Sequence, residues 1–449
     1  MEKGLIAFGI ASVALLIGFA LRAKVPFLRN ALVPAFVIGG FLALILCNIV
    51  AFVDIDFIPE FQFCGDISET LFTLSFLVIG LNSSFHGKEG SKKILKGSLG
   101  MGLILLLIFY LTPLIGYVLI LLIGPFFNMD SVYGLLVTLG FASGPGVAQS
   151  VGAIHEAYGL ADATHIGMSF SLFGFLCAFL VGVPLAKRGI KKGLNKYQSK
   201  LDESVLRGYY KPKQQQSSGS LITTHSGNIE TLTFLCAIIG FLYILALGLG
   251  YLESFIPIVS AMSSLSFLNA FFVAVIARLL MRALKLDFLL DDSLLKMLLG
   301  LLTDFMVVLA FMSIDFQVIT KWIIPLFAES VVIGVVTYFV CIYFGQRLGG
   351  QADFESTMAL FGTLTGTGAT GIALLRIVDN RLETPVVIEL GLSSIFAFLC
   401  LPTIVIVILA ARGTIGPLAI IGIHAVVCLL ILALMKICKT WGKKTYSLK

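Results

Sequence analysis

The chain has 449 residues, of which 58% are hydrophobic and only 12% are charged, and its mean hydropathy is +1.02. A soluble protein of this length could not cover its surface with so few charged side chains. The composition therefore excludes a soluble globular protein and indicates a membrane protein with many spans. The net charge of +6 is then a property of the loops and gives no reason to expect a nucleic-acid partner.

Spans of roughly 20 apolar residues can be placed at eleven positions, which predicts an all-α polytopic fold. In the first half of the chain they are 4–22, 31–53, 68–86, 97–123 and 163–186. In the second half they are 231–251, 258–281, 294–314, 322–346, 386–411 and 415–437. The first of them lacks the basic start and the small-residue cleavage site of a signal peptide, so we expect an uncleaved span there.

Two segments, 131–158 and 352–378, remain outside these spans, and each contains a glycine-rich stretch. The first stretch reads GFASGPGVAQS (Gly140–Ser150), and the second reads GTLTGTGATG (Gly362–Gly371). At one constant offset, three glycines coincide in the two stretches: Gly140, Gly144 and Gly146 fall on Gly362, Gly366 and Gly368. Broken backbone at membrane depth is tolerated only where protein buries it or where it lines a polar cavity. Interrupted segments at corresponding places in two halves predict the binding site of a secondary transporter.

The distribution of basic residues predicts the orientation. If the N-terminus is outside and both segments are re-entrant hairpins, all but three of the 31 Lys and Arg residues lie on the inside. The exceptions are Lys3, Lys321 and Arg412. If 131–158 crossed the membrane instead, the basic run in 187–213 would face outward. The positive-inside rule therefore favours hairpins in a protein of the cytoplasmic (plasma) membrane, with the N-terminus outside and the C-terminus inside.

This topology predicts two inverted-topology repeats, because each half contains five spans and a hairpin between the fourth and the fifth. The first repeat covers 1–186 and the second covers 231–411. Residues 187–230 are basic at first and then rich in Gln and Ser, which predicts a cytoplasmic linker. Residues 412–449 add an extra transmembrane helix and a basic cytoplasmic tail.

Four motifs resemble those of the sodium/glutamate symporter family. They are FLVIGLN (Phe76–Asn82), SGPGVAQS with the following HEAYG (Ser143–Gly159), GxGATxxA (Gly366–Ala373) and, more weakly, VPAFVIGG (Val33–Gly40). The resemblance runs over most of residues 1–411. It implies two inverted five-span domains, each with a re-entrant loop, and Na+-coupled symport of glutamate.

The chain departs from the pattern of that family at two positions. Pro145 stands where the family has a histidine between glycines, and Ala35 follows Pro34 where the family has an acidic residue. These departures leave the implied fold unchanged and leave the substrate open.

The two broken segments supply the candidate substrate ligands. A carboxylate can be bound by the free N–H groups at the start of a half-helix, while unwound carbonyls and hydroxyls suit Na+. The predicted substrate-binding residues are Ser143, Gly144, Gly146, Gln149, Thr365, Gly366, Thr367, Gly368, Thr370, Asn82 and Arg376. The alternative is that the small residues only let helices pack closely.

The coupling ion predicted is Na+, with Asp304, Thr303, Ser150 and Thr363 as candidate ligands. Asp304 lies in the middle of a span, where an ionisable residue is a functional candidate by default; the alternatives are a substrate-ammonium partner and a buried, protonated structural residue. Arg376 could hold a second carboxylate of the substrate or serve as an ordinary positive-inside anchor. Glu329 and Glu389 lie within or near spans but could sit at a membrane–water interface, so no functional role is predicted for them.

The sequence thus predicts a secondary active transporter that moves glutamate or a similar small amino or carboxylic acid with Na+ by alternating access. A Na+-coupled hydroxycarboxylate carrier and an ion channel remain alternatives, although a channel more often assembles its filter from several identical subunits. The loops contain no nucleophile–base pair or metal cluster, so no enzyme is expected. The expected partners are a small anionic or zwitterionic substrate and the lipid bilayer, with a homodimer left open.

Overall fold

The structure is a computed structural model that describes residues 2–31, 33–53, 60–82, 92–196, 208–209, 219–254, 266–350, 352–379, 383–393, 396 and 399–448. Within these ranges the chain forms helices and no strand. Ten of these helices are long and apolar enough to cross a membrane. The predicted class, an all-α polytopic membrane protein, is therefore confirmed.

Seventeen α-helices follow one another along the described chain. Those of the first half are α1 (Glu2–Lys24), α2 (Pro26–Ala31), α3 (Ala35–Phe52), α4 (Phe61–Leu81), α5 (Lys92–Ile123), α6 (Val137–Phe141), α7 (Pro145–Ala157) and α8 (Ala163–Lys191). Those of the second half are α9 (Thr231–Ser254), α10 (Ser266–Ala283), α11 (Asp292–Met312), α12 (Phe316–Gly345), α13 (Asp353–Leu364), α14 (Gly368–Val378), α15 (Val386–Ser393), α16 (Leu401–Ala411) and α17 (Pro417–Ile437). Short 3-10 helices cover Gly124–Phe127, Ser131–Leu136 and Asp287–Leu289.

Two predicted spans are less regular than the sequence indicated. The span expected over 386–411 consists of the shorter helices α15 and α16, and part of the chain between them lies outside the described residues. Helix α12 is kinked at Trp322, where φ is −127° and ψ is 21°. Pro325 accounts for this kink, because its ring lacks an N–H and clashes with the carbonyl of the preceding turn.

The chain divides into two compact units, and each unit combines separate stretches of sequence. Unit 1 is Met1–Gly18, Gly39–Lys88 and Tyr209–Ser313, and unit 2 is Phe19–Ile38, Glu89–Gly208 and Ile314–Lys449. Unit 1 therefore contains most of α1 and α3 together with α4, α9, α10 and α11. Both glycine-rich segments belong to unit 2.

Unit 1 is built around α4, which packs against both α10 and α11. Gly80 lets α4 approach α10 closely, since a Cβ there would lie 2.7 Å from the Cβ of Ala274. Further along the same contact, the rings of Phe72, Phe76 and Phe267 pack against one another with centroids 4.9–5.2 Å apart. Small and aromatic residues thus alternate along one helix pair and fill its interface.

The buried cation of unit 1 is Arg278, which is only 2% exposed. Its Nη1 donates a hydrogen bond to the carbonyl of Leu81 at the end of α4 (3.0 Å), and its Nε lies 2.7 Å from Asp287 Oδ1. Nη1 also lies 3.5 Å from Asp292 Oδ1. A guanidinium at this place satisfies a terminal helix carbonyl and is itself neutralised by two carboxylates.

Helices α5 and α8 lie at the centre of unit 2. Helix α5 packs against α12, α15 and α17, so the extra C-terminal helix is an integral part of this unit. Helix α8 packs against α6, α7, α12 and α14 and therefore contacts both glycine-rich segments.

The C-terminal tail beyond α17 is bound to the start of α13. Thr445 donates from its N–H to the carbonyl of Gln346 (2.8 Å) and from its hydroxyl to Asp353 Oδ2 (2.6 Å). The Tyr446 hydroxyl donates to Thr357 Oγ1 at 2.7 Å. Burial raises the pKa of Tyr446, which keeps its hydroxyl protonated and able to donate. The tail therefore fastens the beginning of α13.

We expect the variant Arg278→Met to lose about 2 kcal/mol of stability, because two carboxylates and a buried carbonyl lose their partner. The neighbouring Arg282 is the matched control, since its Nε is 3.5 Å from the same Asp287 and its side chain is 31% exposed. Arg282→Met should cost less than about 1 kcal/mol. Thermal unfolding of the two purified variants in detergent measures the difference, and equal losses would contradict this account.

Candidate functional site

The first glycine-rich stretch is unwound over only three residues, Ala142–Gly144, which join α6 to α7. Gly144 is the N-cap of α7 and has φ +81°, a conformation that a residue without a Cβ adopts at little cost. Pro145 takes the first helical position, where its missing N–H leaves no hydrogen bond unmade. The Ser143 hydroxyl donates to the carbonyl of Thr138 at 3.0 Å. Local sequence thus accounts for this first break.

The second break is Thr365–Thr367, between α13 and α14. Thr367 and Thr370 form a capping box at the start of α14, in which the Thr370 hydroxyl accepts from the Thr367 N–H at 2.7 Å. The same hydroxyl donates to the carbonyl of Gly362 in the last turns of α13 at 2.7 Å. The fully buried side chain of Thr370 therefore holds both sides of the break together.

The two breaks touch each other inside unit 2. A Cβ on Gly144 would strike Cγ2 of Thr367 and would lie 3.3 Å from the carbonyl oxygen of Gly366. Because Gly144 and Thr367 are the N-caps of α7 and α14, the N-termini of these two helices meet at this point. Gly368, the first residue of α14, is exposed and has open space where a Cβ would stand. The positive dipole ends of two helices are thus brought together at one place.

Helix α8 supports both breaks through a row of glycines. They are Gly167, Gly174, Gly182 and Gly189, seven or eight residues apart on one face. A Cβ on Gly174 would lie 2.8 Å from the carbonyl oxygens of Phe141, beside the first break, and Thr365, in the second. The sequence prediction missed this contribution, although the glycine spacing is the pattern by which helices in membranes approach closely.

Two threonines of the second segment use their hydroxyl protons within α13. Thr363 donates to the carbonyl of Ala359 at 2.8 Å, and Thr365 donates to the carbonyl of Phe361 at 2.6 Å. A hydroxyl that donates to backbone still has lone pairs with which to accept or to ligate a cation. These oxygens therefore suit a cation better than an anion.

Two polar side chains on α7 are buried close to the first break. Gln149 is 7% exposed and Ser150 is 2% exposed, and neither Gln149 Oε1 nor Ser150 Oγ has a hydrogen-bond partner. Most buried polar atoms in proteins are paired, so such atoms mark a place where a ligand, an ion or water completes the site. Both residues lie within two turns of the N-cap Gly144.

The remaining predicted site residues lie elsewhere. Asn82, the C-cap of α4, belongs to unit 1, as do Thr303 and the half-buried Asp304 on α11. Arg376 lies exposed in the last turn of α14, about two turns from the second break. The structure therefore gathers the predicted residues of the two breaks in unit 2 and assigns three others to unit 1.

A metal cluster of the His, Cys or carboxylate type is not found among the residues that the structure describes. Na+ needs no such cluster, because hard cations are bound by carbonyl, hydroxyl and single carboxylate oxygens. The two breaks offer oxygens of this kind beside the helix N-termini that favour an anion.

Known proteins are similar to this chain over a region that includes both broken segments. The profile of the sodium/glutamate symporter family matches residues 4–382, which include both broken segments. The chain is 27% identical over 242 residues to the sodium/glutamate symporter of Escherichia coli (strain K12), covering 51% of this chain and 55% of that relative. It is 26% identical over 226 residues to the sodium/glutamate symporter of Haemophilus influenzae (strain ATCC 51907 / DSM 11121 / KW20 / Rd), covering 48% and 52%. The chain thus spans about half the length of the curated relatives it matches.

The contact between the breaks predicts how two substitutions interact. Gly144→Ala should destabilise the protein by about 2–4 kcal/mol, since it adds both a positive-φ penalty and a clash with Thr367 Cγ2. Thr367→Ser removes that methyl group and keeps the capping oxygen. The double variant should therefore be about 1 kcal/mol more stable than the sum of the two single effects.

Gly413 provides the control for backbone strain, because it has φ +66° and open space at its Cβ position. Gly413→Ala should show only the positive-φ penalty, and Thr367→Ser should not relieve it. Thermal unfolding of all five variants in detergent measures these values. An additive result for Gly144→Ala and Thr367→Ser would show that the breaks do not touch.

Proposed function

Because the chain belongs to the sodium/glutamate symporter family, we propose that it is a secondary active transporter for glutamate or a similar small amino or carboxylic acid, coupled to Na+. The observation that carries this proposal is the meeting of the α7 and α14 N-termini at Gly144 and Thr367. Two helix starts at one point, beside the open space at Gly368, suit a carboxylate.

The substrate carboxylate is proposed to bind the first N–H groups of α7 and α14. Gly368 is exposed and leaves the start of α14 accessible, whereas Gly144, Gly146 and Gly366 are buried, and the lack of a side chain at Gly144 lets the two breaks approach each other. Ser143, Gln149, Thr365, Thr367 and Thr370 contribute the polar surroundings. For a substrate with a second carboxylate, α14 offers the exposed guanidinium of Arg376.

Na+ is proposed to bind oxygens of the same breaks. Ser150 Oγ lacks a partner, and Thr363 keeps lone pairs after donating to the backbone. The carbonyls at the end of α13 add the negative end of a helix dipole. Asp304 and Thr303 in unit 1 are proposed as a second cation site or as the partners of a substrate ammonium.

The broken segments are proposed to be re-entrant hairpins in two inverted repeats, 1–186 and 231–411. Their short helices support this: α13 has 12 residues and α14 has 11, or about 18 and 16 Å, whereas the hydrocarbon core is about 30 Å thick. We further propose an outside N-terminus, a cytoplasmic linker at 187–230 and a cytoplasmic tail. Alternating access then requires unit 2, which contains both breaks, to open to each side in turn. Assembly as a homodimer stays a prediction.

We expect purified protein in liposomes to take up radiolabelled L-glutamate when an inward Na+ gradient is imposed, and not when K+ replaces Na+. Thr370→Val should reduce uptake about tenfold or more, because the hydroxyl that holds the second break is lost, at a cost of about 1–2 kcal/mol. Thr370→Ser keeps the hydroxyl and is the matched control, which should retain most of the activity.

Competition assays separate the alternatives. Excess unlabelled citrate or malate that suppresses uptake more strongly than unlabelled glutamate would identify a hydroxycarboxylate carrier. A flux that does not saturate would identify a channel. Absence of glutamate uptake by folded protein would discard this substrate and direct attention to Pro145 and Ala35, where the chain departs from the family pattern.

A further inference from the structure

The middle of α12 contains a carboxyl group, that of Glu329, which the proposed substrate and ion sites do not use. Its side chain is 0% exposed, and neither carboxyl oxygen has a hydrogen-bond partner. A charged carboxylate without a partner is strongly disfavoured in such surroundings. From its sequence position, Glu329 could sit at a membrane–water interface, whereas the structure places it in the interior of unit 2.

The Glu329 carboxyl group is packed between α5 and the start of the first broken segment. A Cβ on Gly116 of α5 would strike both Glu329 Oε1 and the carbonyl oxygen of Gly134. The backbones of Gly116 and Gly134 are themselves in contact, since a Cβ on Gly134 would strike the Gly116 carbonyl. A carboxylate that faces a carbonyl oxygen is repelled by it, whereas a protonated carboxyl can donate a hydrogen bond to it.

The same interface leads to the first break. One turn along α5 from Gly116, the hydroxyls of Thr112 and Thr138 form a hydrogen bond of 2.9 Å. The carbonyl of Thr138 in turn accepts from Ser143, which lies in the break. Glu329 therefore lies against the segment that leads to the proposed substrate site.

The titratable side chains around Glu329 do not provide a counter-ion. The tyrosines and cysteines on the elements packed around it cannot carry a positive charge: they are Tyr110 and Tyr117 on α5, Tyr133 before α6, Cys177 on α8, and Tyr338, Cys341 and Tyr343 on α12. The basic residues and histidine described on these elements stand towards helix ends: Lys96 on α5, His165, Lys187, Arg188 and Lys191 on α8, and Lys321 on α12. The acidic residues on these elements cannot serve as a counter-ion either: they are Asp130, just before the first broken segment, and Asp353 and Glu355 in the first turn of α13, which also packs against α12. A proton is the cation that this closely packed site can accept.

We propose that Glu329 is a proton-binding site and that its proton keeps the first broken segment packed against α5. In the packed form the protonated, uncharged carboxyl lies against Gly116, next to the Gly134 carbonyl. When water reaches the group, the carboxylic acid gives its proton to water and becomes a carboxylate, and the reverse step restores the packed form. The packed form is therefore favoured at low pH and is lost as the pH rises through the value at which Glu329 ionises. The effect of Glu329 protonation on transport rests on the proposed function, whereas proton binding by Glu329 does not.

Infrared spectroscopy of the purified protein tests proton binding without any transport assay. We expect the C=O stretch of a protonated carboxylic acid at neutral pH, lost at alkaline pH and reduced by one carboxyl group in Glu329→Gln. The exposed Glu156 is the control, and Glu156→Gln should leave this band unchanged. If Glu329→Gln leaves the band at its full wild-type intensity, Glu329 is ionised and the proposal is wrong.

The pH dependence of Na+-driven uptake tests the consequence. Wild-type uptake should fall about tenfold for each pH unit above the ionisation of Glu329, as a single titration requires. Glu329→Gln, whose amide is uncharged at every pH, should keep its uptake over the same range. Identical pH profiles for the two proteins would overturn the proposal. If Glu329→Gln does not fold, the pH profile of Glu329→Met, which is apolar and of similar length, is measured in its place.

If neither protein transports glutamate, the proposed function fails, and the infrared band still decides whether Glu329 binds a proton.

Discussion

Backbone polar groups inside a membrane must be paired, and the architecture of unit 2 follows from this constraint. Two helical segments are each interrupted by three non-helical residues. Side chains close to each interruption form hydrogen bonds with the backbone groups that are no longer paired within a helix. The Thr370 hydroxyl joins the start of α14 to the Gly362 carbonyl, and Ser143 donates to the carbonyl of Thr138 in the first turn of α6. Gly174 on α8 then covers the carbonyls of both breaks at close range. The positive ends of the α7 and α14 dipoles meet beside these contacts, at Gly144 and Thr367.

The two units differ in the partners of their buried polar and charged side chains. In unit 1, Arg278 is surrounded by partners: two carboxylates and the terminal carbonyl of α4. The charge of Arg278 is thus neutralised, and its hydrogen bond to Leu81 stabilises a fixed helix contact. In unit 2, the oxygens of Gln149, Ser150 and Glu329 are buried without partners. Unsatisfied groups are costly in a static scaffold, and their concentration beside the breaks fits a unit that binds and releases ligands.

The sequence prediction was accurate where the signal is local and incomplete where it depends on packing. Glycine and proline located both interruptions, but the unwound part is only three residues in each case, because Gly146–Ser150 and Gly368–Gly371 continue as helix. The span expected over 386–411 contains two shorter helices. The glycine row of α8 was visible as a spacing, yet nothing in the sequence identified what it would contact. The burial of Glu329 was not predicted, because hydropathy alone does not show which side of a helix is buried inside the protein.

The sequence by itself determined the all-α membrane class, the approximate spans and the position of the two breaks. These follow from hydropathy, the absence of a side chain in glycine and the missing N–H of proline, which act within a few residues. Only the tertiary structure decided that Gly144 lies against Thr367, that α8 joins the two breaks, and that Glu329 is buried without a partner. Contacts between residues so far apart in the chain depend on how complete helices pack, and helix packing is set by the combined shape of many side chains.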